Sequence, residues 1–222
     1  KSDNRKIEFE IIGKFSENFL VYKNANRRHE LTIYGNDMAI AQKVNLDFIF
    51  DRVSNIDFIS YPDHFIMIWQ YEKGNVIFCK AENMSGTGKL IGNVTELDIT
   101  KTGFFSNRTT YSVTRSEDKK KILLYKVQTK SDVYDFVSKI YDENLMMLNR
   151  SKKSIDYNDR REDFGDMEID NEGTLLFAKT RHNARVEFIN ALDIYSKRLK
   201  SDSLYVIKVP LNERLIGEPF IK

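Results

Sequence analysis

Short apolar runs recur along the chain at intervals of about fifty residues, each closed by a turn rich in Gly, Asn, Asp or Ser. The pattern is plainest from Val133 to Tyr141. There Tyr134, Phe136, Ser138 and Ile140 fall on one face and Val133, Asp135, Val137, Lys139 and Tyr141 on the other, the period of two that a strand requires. Ile122 to Val127 is short and almost wholly apolar, which predicts a strand buried on both faces. Asp142-Glu143-Asn144 supplies a turn, because Asp and Asn side chains satisfy nearby backbone donors, and Leu145 to Leu148 resumes as a strand. With Tyr111 to Arg115 in front, these segments form a four-stranded meander that needs neighbours stacked on its apolar faces.

The same pattern can be laid over the rest of the chain. Ile7 to Ile12, Phe19 to Tyr22, Glu30 to Tyr34 and Met38 to Leu46 predict a first set of four strands, with Ala25 to His29 as a basic loop. Ile56 to Ser60, Phe65 to Tyr71, Val76 to Ala81 and Leu90 to Val94 predict a second, with Ser85 to Gly88 as a hairpin loop. A short strand is expected at Phe104-Phe105, and Ser151 to Asp163 reads as a charged linker. Asp166 to Ile169, Thr174 to Lys179, Leu204 to Val209 and Leu215 to Ile221 predict the last set. It is interrupted where Val186, Ile189, Leu192, Tyr195 and Leu199 recur at steps of three and four, predicting an amphipathic helix from Ala184 to Lys200.

The expected fold is therefore all-β and β-propeller-like: about four four-stranded antiparallel blades, near residues 7–46, 55–95, 110–150 and 164–221, with one inserted helix over 184–200. Another antiparallel sandwich or barrel is the alternative. Propellers carry roughly four to eight blades, so the chain is expected to be a single small domain or, preferably, an arc of a larger propeller. An open arc would expose apolar blade faces, to be covered by a homodimer or by the rest of a longer chain.

Composition narrows the function classes. The 222 residues carry 35 basic and 33 acidic side chains, a net charge of +2, mixed along the chain. That balance argues against nucleic acid as a partner. Phe65 to Trp69, the longest purely apolar run, is too short to be a transmembrane segment. Cys79 is the one cysteine; it lies in an apolar run and is expected to be a buried, inert thiol.

No compact catalytic pattern emerges. His29, His64 and His182 fall in three predicted loops without metal-ligand spacing, and are expected to be exposed. Asp156, Asp159, Glu162 and Asp163 lack calcium-loop spacing and are interrupted by Arg160 and Arg161, so a self-neutralising loop is expected. Ser85 to Lys89 lacks the order of a phosphate loop. No metal and no cofactor is implied. Asp57, Asp166, Glu168 and Asp170 are the candidate catalytic carboxylates, because propeller glycosidases draw a paired acid and base from the inner ends of their strands. Val186, Ile189, Leu192 and Tyr195, on the predicted helix, are the candidate partner-binding surface.

Three successive stretches, SEDKKKILLYK, VYDFVSKIYDENLMML and DMEIDNEGTLLFAK, resemble a group of uncharacterised β-propeller proteins of Bacteroidetes. The resemblance rests on an Asp-x-x-Leu turn at Asp142 to Leu145 and an Asn-x-Gly hairpin at Asn171 to Gly173. It implies an exported protein, periplasmic or on the cell surface, and carries over no catalytic residue. The function expected is a non-enzymatic module offering a rigid surface to a protein or glycan. The alternative is a glycoside-processing enzyme, or the propeller part of a larger hydrolase.

Overall fold

The structure, a computed structural model, describes residues 7–25, 28–49, 52–101, 110–130, 132–158, 160–182 and 189–211. The chain divides into two compact units, Lys1–Thr110 and Tyr111–Lys222. Each is built of antiparallel meanders. In the first unit, β1 (Ile7–Phe15), β2 (Asn18–Ala25), β3 (Arg28–Tyr34) and β4 (Ile40–Asn45) pair in chain order as a first sheet. The second sheet is β5 (Arg52–Ser60), β6 (His64–Lys73), β7 (Val76–Ser85) and β8 (Thr95–Lys101).

Period-two alternation builds the core between these two sheets. Leu20 and Tyr22 of β2, Leu31 and Ile33 of β3 and Phe65, Met67 and Trp69 of β6 join one buried cluster, and Leu46 and Ile49 of the connecting segment close it. Each such side chain, fully buried, contributes about 1.5–3 kcal/mol. The other face of β6, with Ile66, Ile68 and Gln70, is buried as well. Packing is tight where turns meet strands: a Cβ on Gly86 would lie 2.5 Å from Phe15 Cβ, and one on Gly13 would lie 2.6 Å from Ser60 Oγ.

In the second unit, β9 (Ser112–Arg115), β10 (Ile122–Lys130), β11 (Val133–Tyr141) and β12 (Met147–Asp156) form the third sheet. The fourth comprises β13 (Glu162–Phe164) and β14 (Glu168–Ile169), both paired to β15 (Leu175–His182), then β16 (Ile189–Lys197) and β17 (Tyr205–Val209). Leu123, Tyr134 and Phe136 of the third sheet meet Leu175, Phe177 and Tyr195 of the fourth in the unit's core. Lys197, 2% exposed, donates to Asn149 Oδ1 at 3.1 Å and so ties the two sheets together. Burial lowers its pKa.

Four hairpins share one five-residue turn, starting at Gly35, Ser85, Asp142 and Asp170. The first residue's N–H donates to the fifth's carbonyl, and the fourth's N–H donates to the first's carbonyl, at 2.8–3.1 Å. The fourth residue, Met38, Gly88, Leu145 or Gly173, has φ between 61° and 84°. This is a type I turn followed by a left-handed residue. The first side chain caps the fifth N–H where it can: Ser85 Oγ, Asp142 Oδ1 and Asp170 Oδ1 accept it, while Asp37 does so in the turn that begins with glycine.

Several expectations are corrected. Among the described residues there is no helix, and so none long and apolar enough to cross a membrane. Of the predicted helix 184–200, residues 189–197 are strand β16, paired on both edges, with β15 and β17. Its apparent three-and-four spacing arises because both faces of β16 carry apolar residues, Tyr195 on one and Leu192 and Ile194 on the other, and because a register shift sets Ile189 opposite His182, in step with Leu192. Leu90 to Val94 is not a strand; Leu90 makes one bridge to Met84, and β8 follows it. The charged stretch from Ser151 to Asp163 is not one loop, since β12 runs to Asp156 and β13 begins at Glu162, leaving only a short connection between them. The expected strands at Phe104-Phe105 and Leu215 to Ile221 lie outside the described residues.

Candidate functional site

The strand register of the first sheet sets two polar rows side by side. Glu8 stands opposite Asn24 and Asn24 opposite His29; Glu10 stands opposite Tyr22 and Tyr22 opposite Leu31. Cross-strand partners share a face, so Glu8, Glu10, Tyr22, Asn24 and His29 converge. With Asn55 of β5 they line a cleft of about 290 Å³.

Burial sets the chemistry here. Tyr22 and His29 are both buried, with the phenol oxygen 2.6 Å from Nδ1 and the two rings stacked. Burial, with the charges of Glu8 and Glu10 adding to it, pushes the Tyr22 pKa up. Burial lowers that of His29. Both groups are therefore neutral near pH 7: the phenol donates to Nδ1, and the imidazole keeps its proton on Nε2. Burial also raises the pKa of Glu10. Asp57 is raised to about 6, by burial first and the charge of Glu10 second, against the hydrogen bond from Asn55 Nδ2 at 2.7 Å. Asn24 donates to Glu8 at 3.4 Å, while its own Oδ1 is enclosed and accepts no hydrogen bond among the described residues. The cleft thus offers carboxylates around a neutral Tyr–His pair.

A larger cleft of about 700 Å³ beside it shares His29 and mixes Lys23, Arg28 and Lys43 with Glu30 and Asp47. Its charges are partly self-paired, Lys43 lying 3.4 Å from Glu30. The smaller cleft has the more perturbed groups, and it is the better site.

Of the carboxylates singled out in the sequence, Asp57 alone adjoins this cleft, through Asn55. The other three belong to the second unit and are held by structural bonds. Asp166 Oδ1 accepts from the Tyr125 hydroxyl at 3.4 Å, Glu168 Oε2 accepts from Thr114 Oγ1 at 2.9 Å, and Asp170 caps its turn. Of the expected partner surface, Ile189 and Tyr195 are buried, Tyr195 stacking on Phe177 at 5.0 Å; Leu192 is half-buried, and Val186 lies outside the described residues. His29 is not an exposed loop residue but a buried one on β3; His64 and His182 are half-buried at strand ends, each paired with a neighbouring aspartate. Cys79 is buried, as its apolar run predicts. Glu162 is no solvated loop charge: it is buried and accepts from Arg181 and Lys179. Among the described residues no group of three or more His, Cys, Asp or Glu could hold a metal ion.

The signal that sequence reading passed over is the pair Glu8 and Glu10, in step with Tyr22 and Asn24. Both pairs have period two, and they meet only through a register that no single strand reveals.

No family model matches the chain, and no curated protein matches it. Among solved structures, the crystal structure of the WD40 domain of SCAP from fission yeast superposes with a TM-score of 0.41 at 8% identity, covering 100% of this chain and 68% of that one. The functional reading therefore rests on this chain's own sheets and side chains.

Proposed function

We propose that this chain is a non-catalytic β-propeller module that binds a protein, taking a lysine or arginine side chain of its partner into the cleft of Glu8, Glu10 and Asn24. The single observation carrying the reading is that cleft: the carboxylates of Glu8 and Glu10 line one opening beside a neutral Tyr–His pair. A guanidinium or ammonium group would donate to carboxylates of this kind. The succession of four-stranded meanders supports the propeller. A periplasmic or cell-surface location rests on the turn motifs alone, and cell fractionation tests it.

The binding test is fluorescence anisotropy with a labelled peptide containing Arg and Lys against the same peptide with those residues changed to Gln. Binding of the basic peptide alone, weakened at least tenfold by Glu8→Gln with Glu10→Gln, is the expected result. Equal binding of both peptides, or none, would overturn it.

One observation favours a second reading. Asp57 near 6, beside a Glu10 that is also raised, is a carboxyl pair able to exchange a proton at mild pH, as glycoside hydrolysis requires. Release of nitrophenol from nitrophenyl glycosides, lost in Asp57→Asn, would support an enzyme; no turnover above that of the variant would exclude this role for Asp57.

A further inference from the structure

On the core-facing side of the fourth sheet, strand register gathers charged side chains just beyond the aromatic core. Glu162 of β13 stands opposite Arg181 of β15, and Arg181 opposite Ala191 of β16. One row nearer the core, Lys179 stands opposite Asp193, and Asp193 opposite Lys208 of β17. Cross-strand partners share a face, so these side chains converge. They line a cleft of about 180 Å³ that lies wholly within the second unit. Ala191, the smallest of them, leaves room beside Arg181.

Glu162 organises this cleft. It is buried; its Oε2 accepts from the backbone N–H of Asn158 at 3.0 Å, and its Oε1 accepts from Arg181 Nε at 3.0 Å, Arg181 Nη2 at 2.7 Å and Lys179 Nζ at 3.4 Å. Burial raises the Glu162 pKa, but the bonds from Arg181 and Asn158 and the charge of Lys179 outweigh it and hold the group below its ordinary value. It therefore stays ionised at neutral pH and keeps Arg181 fixed. A guanidinium has five N–H donors in a planar fork. Glu162 takes one on Nε and one on Nη2; the two on Nη1 and the second on Nη2 have no acceptor among the described residues, on a side chain that is 53% exposed. Lys179 is held by Glu162 and by a hydrogen bond with the Tyr195 hydroxyl, which leaves Arg181 and the exposed Lys208 to meet a ligand.

We infer that this cleft binds one carboxylate, an Asp or Glu side chain of a protein partner, with Nη1 and Nη2 of Arg181 donating to its two oxygens. A guanidinium already fixed along one edge is pre-organised for that bidentate contact. Charge selects the ligand: Lys179, Arg181 and Lys208 against Glu162 and Asp193 leave one positive charge, which a single carboxylate neutralises and a phosphate dianion would exceed. The site shares no residue with the cleft of Glu8 and Glu10 and does not depend on that reading.

Fluorescence anisotropy on the whole chain tests this with three labelled peptides: one carrying a single Glu and an amidated C-terminus, the same peptide with Gln in its place, and the Gln peptide with a free C-terminal carboxylate. The Glu peptide should bind at least tenfold tighter than either Gln peptide. Arg181→Lys, which keeps the charge and loses the fork, should weaken it about tenfold. Circular dichroism checks that this variant folds, and Lys208→Gln, at an exposed position, serves as a second variant that should weaken binding about threefold. Equal binding of the Glu and Gln peptides, binding through the free terminus alone, or no effect of either substitution would overturn the inference. Glu8→Gln with Glu10→Gln should leave Glu-peptide binding unchanged, so the two clefts stand or fall separately.

Discussion

Leu145 holds a φ of 63° with no glycine to make it easy, and Met38 and Lys119 do likewise at 61° and 60°. A left-handed conformation costs a non-glycine residue about 1–2 kcal/mol. At Leu145 the side chain is buried, so its packing offsets the strain. Asp142 secures the same turn by accepting from the N–H groups of Asn144 and Met146. Asp142→Ala should therefore cost about 1–2 kcal/mol, while Met38→Gly, at an exposed position, should stabilise by about 1 kcal/mol; urea melts measure both. The Asp-x-x-Leu motif is legible in the sequence as a turn. That Ser85 and Gly35 open the same turn is not, because its defining feature is the backbone of the fourth residue, which Met, Gly and Leu all adopt.

Asp57 gives a residue-scale prediction in pH. Its pKa in the folded protein, about 6, lies above the ordinary 3.8, so the folded state holds the proton more tightly. The associated stability is fully present below pH 3.8 and is lost as pH rises through 6. Ionised at neutral pH, the group destabilises the fold by about 3 kcal/mol. Asp57→Asn should thus raise stability by about that amount at pH 7.5 and leave it unchanged at pH 3.5. An equal gain at both pH values would rule out titration as its cause.

At the scale of elements, strands with one apolar and one polar face were legible, and those with two apolar faces were not always. β11 alternates cleanly and reads as a strand from its own residues. β16 does not: Ile189, Leu192 and Tyr195 mimic a helix stripe, and only the ladders to β15 and β17 settle it as a strand. β12 carries so many charges that it reads as a linker, yet it pairs with β11 over its whole length, because an outer strand needs few apolar residues. The turn into β8 depends on Gly86, which sits where a Cβ would meet Phe15. Gly86→Ala should cost about 1–3 kcal/mol by forcing that turn away from the first sheet. A thermal melt of the variant checks it; an unchanged midpoint would mean the turn moves freely.

For the whole molecule, two compact units are each made of antiparallel meanders, and one turn type recurs between the third and fourth strands of the first three sheets and again between β14 and β15 of the fourth. The cleft draws on β1, β2, β3 and β5, so no segment contains it and no motif announces it. A repeated scaffold with a site assembled across strands suits recognition. Of the carboxylates chosen from single strands, Asp166, Glu168 and Asp170 accept hydrogen bonds that tie strands and a turn, while Asp57 adjoins the cleft.

Calorimetric titration of a basic peptide into the chain, at pH 7.5 and again at pH 5, tests partner binding at this cleft most directly. Asp57 titrates near 6 and Glu10 above its ordinary value, so acid removes the negative charge that would hold the peptide. Clear binding is expected at pH 7.5 and at least tenfold weaker binding at pH 5, with the difference between the two pH values reduced in Glu10→Gln and Asp57→Asn. Binding of equal strength at both pH values, or none at pH 7.5, would contradict it.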